Sequence, residues 1–124
     1  MSDFQLTTSQ MDGLEGCWAF VVSGSLNEKS MTAVNNSITS TANASPTPVD
    51  IVIDVTGLTH FPSIWDSIPL SRSVTSNSKI RFIVLITQNR LVGGMFTGIS
   101  KLSPDRFYKA DNMQSAREFL AKHN

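Results

Sequence analysis

The groups best placed for acid–base or nucleophilic work lie close together in the chain: His60, Ser63, Asp66 and Ser67. An imidazole near a hydroxyl and a carboxylate is the inventory of a hydrolytic triad, in which the imidazole takes the hydroxyl proton and the carboxylate orients it. Such groups normally come from separated elements and need donors for an oxyanion, and no nucleophile-elbow motif surrounds either serine. A small hydrolase therefore ranks third among the readings, and His60 is read as a loop residue. His123 lies in the tail and is read as solvated. The single cysteine sits in Gly16-Cys17-Trp18-Ala19-Phe20, an apolar run with no basic neighbour to lower its pKa, so Cys17 reads as a small buried hydrophobe. No phosphate-cradling, dinucleotide-binding or metal-ligand spacing occurs, and neither cofactor nor metal is expected.

The elements that must position these residues follow from periodicity. Phe4 to Thr8 alternates, Asp12-Gly13 marks a turn, and Cys17 to Ser23 is aromatic and β-branched, which predicts an opening antiparallel pair with the first strand at an edge. Ser25 with Glu28 has the capping pattern of a first helix, whose apolar stripe is Met31, Val34 and Ile38. Pro46 and Pro48 end that stretch in a loop. Val49 to Val55 and Ile80 to Thr87 are nearly continuous apolar runs, as expected of central parallel strands covered on both faces. Asp50 and Asp54 interrupt the first of them.

Between those strands, Pro62 opens a helical pattern through Trp65, Ile68 and Arg72, which Pro69 kinks or divides. Leu91, Met95, Ile99 and Leu102 recur on one helical face, with Val92 and Phe96 widening it. Gly93, Gly94 and Gly98 give that helix a thin side, read as a close approach to the sheet. Arg106 to Ala110 is a last short strand, and Asp111 with Gln114 caps a closing helix through Met113, Ala116 and Leu120. The order ββαβαβαβα calls for an α/β domain over residues 1–124, with a mixed, mostly parallel sheet of about five strands and about four helices.

Composition narrows the function classes. Ten basic and ten acidic residues cancel, and no stretch gathers Lys or Arg into a phosphate-neutralising stripe, so nucleic acid is not an expected partner. The longest apolar runs fall well short of the ~20 residues that span a bilayer. Met1-Ser2-Asp3-Phe4-Gln5-Leu6 has no basic region followed by an apolar one, so the chain is read as soluble and cytoplasmic. Zero net charge removes the repulsion that keeps small domains apart, which points to a homodimer through the opening edge strand or the glycine-marked helix.

The element order, together with Ile51-Val52-Ile53-Asp54-Val55-Thr56-Gly57-Leu58-Thr59-His60-Phe61, resembles the anti-sigma-factor antagonist family, the STAS domains, and their Sec14-like relatives. In STAS domains such a strand leads into an Asp-Ser-Ser-Gly or Asp-Ser-Thr-Gly helix start, where a kinase partner phosphorylates one hydroxyl. Aligned on Leu58-Thr59, that motif falls on Pro62-Ser63-Ile64-Trp65. Only Ser63 keeps its type, and the usual phosphate acceptor falls on Ile64, so a clear phospho-acceptor motif is lacking and Ser63 is the candidate left. The run Phe61-Pro62-Ser63-Ile64-Trp65-Asp66 is similar to the divergent STAS/Sec14-like branch.

The resemblance implies a non-enzymatic regulatory or protein-interaction domain, with an anti-sigma-factor-like kinase as the partner it would meet. His60, Phe61, Ser63, Trp65 and Asp66 form the candidate docking surface. The alternative, from the Sec14-like side, is a binder of a lipid or other small apolar ligand, using Leu91, Met95, Phe96 and Ile99.

Overall fold

A computed structural model of the chain describes residues 4–11, 13–25, 27–60, 77–88, 94 and 107–123. Its elements are β1 (Gln5–Gln10), β2 (Cys17–Ser25), α1 (Glu28–Ala44), β3 (Val49–His60), β4 (Ile80–Ile86), β5 (Phe107–Ala110) and α2 (Met113–His123). The strands form one five-stranded sheet in the order β1-β2-β3-β4-β5. β1 pairs antiparallel with β2, and the other three pairings are parallel. This is the mixed, mostly parallel α/β sheet that the apolar runs demand, with β1 at one edge and β3 in the middle. The helices expected around Trp65 and around Met95 fall outside the described residues.

Strand alternation sends side chains to two separate cores. On one face Phe20, Val22, Ile51, Val55, Ile83 and Leu85 meet Val34, Ile38 and Ala42 of α1. On the other, Cys17, Ala19, Val52, Val84 and Ile86 meet Ala116 and Leu120 of α2, with Met11 and Leu14 of the β1–β2 connection closing one side. Ile51 and Val52 are both fully buried although they point in opposite directions, which explains why β3 reads as a continuous apolar run. Each fully buried side chain such as Ile38, Ile51 or Leu120 contributes about 1.5–3 kcal/mol relative to exposure.

Both helix caps sit later in the chain than their sequence patterns indicate. Asn27, not Ser25, caps α1, its side chain accepting from the Ser30 N–H at 2.9 Å. Ser25 is unavailable because β2 runs on to it and pairs it with His60. Asn112, not Asp111, caps α2, accepting from the Ser115 N–H at 2.8 Å. The β1–β2 connection uses Gly13 at a φ of 76°, a conformation open to glycine without a Cβ penalty, as Asp12-Gly13 announces.

Candidate functional site

The parallel strands β2 to β5 present their carboxyl ends together, the place where open α/β sheets bind ligands and partners. β3 projects furthest. Its pairing with β4 stops at Asp54, whereas its pairing with β2 continues through Gly57, Leu58 and His60, across two irregularities in register. Gly57 suits this close pairing: a Cβ there would stand 3.0 Å from the Ser23 Cβ, so a larger residue would need Ser23 to give by a few tenths of an ångström. His60 is consequently the last residue of β3, not a residue of a loop that begins after Val55.

Beside that projection lies a pocket of about 370 Å³ between the ends of β3, β4 and the start of α2. Its polar lining is Asp54, Thr56, Thr87, Gln88, Asp111 and Asn112, set against Val55, Leu58, Ile86 and Met113. Asp54 Oδ1 accepts from the Thr56 N–H at 3.0 Å and from Thr56 Oγ1 at 2.7 Å, which fixes the carboxylate at the pocket wall. Thr87 donates its N–H to the Ala110 carbonyl at 3.1 Å, and Gln88 Nε2 donates to the Asp111 carbonyl at 3.3 Å, joining β4 to the β5–α2 junction. The lining offers carboxylate, hydroxyl and amide groups, suited to hydrogen-bonding a polar group.

Of the residues proposed from sequence, the structure places His60 at this end of the sheet. Phe61, Ser63, Trp65, Asp66 and Ser67 lie outside the described residues, as do Leu91, Met95, Phe96 and Ile99. Gly94 is exposed, and a Cβ there would meet nothing within 4 Å. Close approach to the sheet is therefore not the reason for glycine at that position. Among the described residues no group of three or more His, Cys, Asp or Glu side chains could hold a metal ion, and no helix is long and apolar enough to cross a membrane.

The opposite, amino ends of the strands hold a polar cluster that the sequence reading missed. Asp50, with its side chain 3% exposed, accepts from Arg81 Nε at 2.9 Å and Nη2 at 2.7 Å, a two-pronged ion pair. Arg81 is the extra residue of β4 where the register against β3 shifts, and its guanidinium lies 5.0 Å from the Phe82 ring centroid. The Cys17 thiol donates to Asp50 Oδ2 at 3.4 Å. Burial, then the Asp50 charge and the hydrogen bond to it, push the thiol up to about 12, as a buried hydrophobe requires and a nucleophile does not. The signal was present as an aspartate inside a β-branched run, which demands a cation from a neighbouring strand.

No family model matches the sequence, and no curated protein matches it. Solved structures do. An uncharacterized protein of the DUF3478 family from Shewanella loihica PV-4, with a SpoIIAA-like fold, superposes with a TM-score of 0.67 at 18% identity, covering 97% of this chain and 95% of that one. The chain has a SpoIIAA-like, STAS-type fold. An anti-sigma factor antagonist from Mycobacterium paratuberculosis gives a TM-score of 0.69 at 17% identity over 98% of this chain and 99% of that chain. The anti-sigma factor antagonist SpoIIAA in its unphosphorylated form gives 0.62 at 10% identity over the same shares. The likeness expected from the β3 stretch and the element order thus holds at the level of the fold.

Proposed function

We propose that the chain is a non-enzymatic regulatory domain that docks a protein partner at the carboxyl end of its sheet. The docking surface begins at His60 and continues in sequence through Phe61, Ser63, Trp65 and Asp66. The observation that carries the reading is the end-to-end fold match to two anti-sigma factor antagonists, with coverage of 98% of this chain in both. Fold alone does not fix function, and the projecting end of β3 supplies the local reason for choosing this surface. By analogy with those proteins, the partner is an anti-sigma-factor-like kinase, and Ser63 is the one hydroxyl in the aligned segment available to it. The polar lining of the adjacent pocket, with Asp54 and Asp111 on its wall, weighs against a lipid or other apolar ligand at that place.

The test is calorimetric titration of the purified chain with an anti-sigma-factor kinase domain from the same genome. Trp65→Ala and Asp66→Arg should each weaken binding at least about tenfold, the scale of losing an interface anchor. Equal affinity for wild type and both variants would remove the proposed surface. Incubation with the kinase and ATP, followed by intact-mass measurement, should add one phosphate that Ser63→Ala abolishes. A phosphate retained in that variant would place the modification elsewhere.

A further inference from the structure

We propose that the outer edge of β1 is a self-association surface, at which two copies of this chain pair antiparallel and join their five-stranded sheets into one. β1 ends the sheet, and among the described residues nothing pairs with its outer side. Gln5, Thr7, Thr8, Ser9 and Gln10 are exposed and Leu6 is half-buried.

The ladder identifies which backbone groups face outward. Met11 donates its N–H to the Cys17 carbonyl at 2.9 Å, so Met11 and Cys17 form a hydrogen-bonded pair. In an antiparallel ladder such pairs alternate with pairs whose N–H and C=O groups turn away from the partner. With the observed register, Ser9, Thr7 and Gln5 bond to β2, while Leu6, Thr8 and Gln10 direct their donors and acceptors to the free edge.

Edges are ordinarily guarded by lysine, proline or a bulge. Gln5-Leu6-Thr7-Thr8-Ser9-Gln10 has no charge and no proline, and its register against β2 is unbroken. The other edge, β5, is four residues long and carries Lys109, which pairs with Asp111 at 3.7 Å. Among the described residues, β1 is the edge left open.

A second copy is the occupant that this edge fits. A two-fold axis at Thr8 sets Thr8 against its own counterpart and Leu6 against Gln10, so all three outward residues exchange hydrogen bonds. The same register sets Thr7 against Ser9, the kind of hydroxyl pair that stabilises facing strands. Any charge at the axis would repel its own copy. The strand has none, and ten basic residues balance ten acidic ones over the whole chain, so like-charge repulsion does not oppose approach. Pairing one short strand buries less than the ~1,600 Å² of a standard interface, so the dimer is weak and depends on concentration.

Sedimentation velocity of the full chain between about 5 and about 500 µM, a range that brackets such affinities, provides the test. Monomer should convert to dimer, and amide exchange at Leu6, Thr8 and Gln10 should slow as concentration rises. Thr8→Pro removes one outward N–H from each copy without touching the bonds to β2, and should weaken the dimer by about thirtyfold, the value of two hydrogen bonds. Thr8→Lys should weaken it through facing like charges, with the loss shrinking at high salt. A monomer at every concentration overturns the proposal, and so does a dimer that neither variant weakens. Should Thr8→Pro fail to fold, Thr8→Lys and the exchange pattern decide between the same two outcomes.

Discussion

Replacing Arg81 by methionine isolates the ion pair at the amino ends of the strands, because the stem stays while both hydrogen bonds to Asp50 are lost. The carboxylate left behind has a side chain 3% exposed and keeps the Cys17 thiol at 3.4 Å as a donor. Removing one member of a fully buried pair costs about 3–5 kcal/mol. Arg81 is 41% exposed, so water already screens it and can enter its place, which discounts the loss to about 2–3 kcal/mol. For a domain of 124 residues that corresponds to a fall in Tm of about 8–12 °C. Asp50→Leu should cost less, because an exposed guanidinium can turn to solvent. The double variant Asp50→Leu/Arg81→Met should recover most of the loss, with a coupling of about 2 kcal/mol. Urea unfolding followed by far-ultraviolet circular dichroism measures all four proteins. An Arg81→Met variant within about 0.5 kcal/mol of wild type, or additive single effects, would refute the account of Asp50 as a buried charge held by Arg81.

Two further expectations concern neighbouring features. Cys17 has a folded pKa raised from 9.0 to about 12, so it favours the folded state fully below pH 9 and loses that contribution as pH rises toward 12. Denaturant titrations across that window should show falling stability that Cys17→Ala flattens, and native Cys17 should resist alkylation at pH 8. Gly57→Ala should cost about 1–2 kcal/mol because its Cβ meets Ser23, and Ser23→Gly in the same chain should restore most of it. A thermal melt reads both.

The sheet was legible because its strands announce themselves chemically. Val49 to Val55 and Ile80 to Ile86 are β-branched on both faces, and both turn out to lie inside the sheet with helices above and below. The edge position of β1 followed from its polar alternation. Boundaries were harder, for a physical reason at each place. Thr56 to His60 mixes glycine, threonine and leucine without strand character, and it extends β3 only because β2 lies beside it to receive its hydrogen bonds. The cap of α1 was offset because Ser25 is committed to β2, a tertiary demand that local pattern does not register. At the candidate site, His60 was legible as a residue near the carboxyl end, whereas Asp54, Thr87 and Asp111 were not. They come together from the middle of β3 and from just beyond β4 and β5, and only the sheet order makes them neighbours.

The end of α1 has a consequence for how the chain holds together. The helix is rich in Ser, Thr and Asn, has no basic residue in its last turn, and closes with the Ser45 N–H on the Ala42 carbonyl at 3.2 Å. The positive charge that its terminal carbonyls call for arrives from far along the sequence: Lys79 Nζ donates to the Ser45 carbonyl at 3.1 Å, and Asn77 Nδ2 reaches Asn43 Oδ1 at 3.3 Å. Val49 is tied to the same stretch through its N–H on the Lys79 carbonyl at 2.7 Å. A weak helix former is thus anchored by a segment synthesised more than thirty residues after it. The C-terminal end of α1 is therefore closed only in the folded chain, where the turn before β4 lies against it.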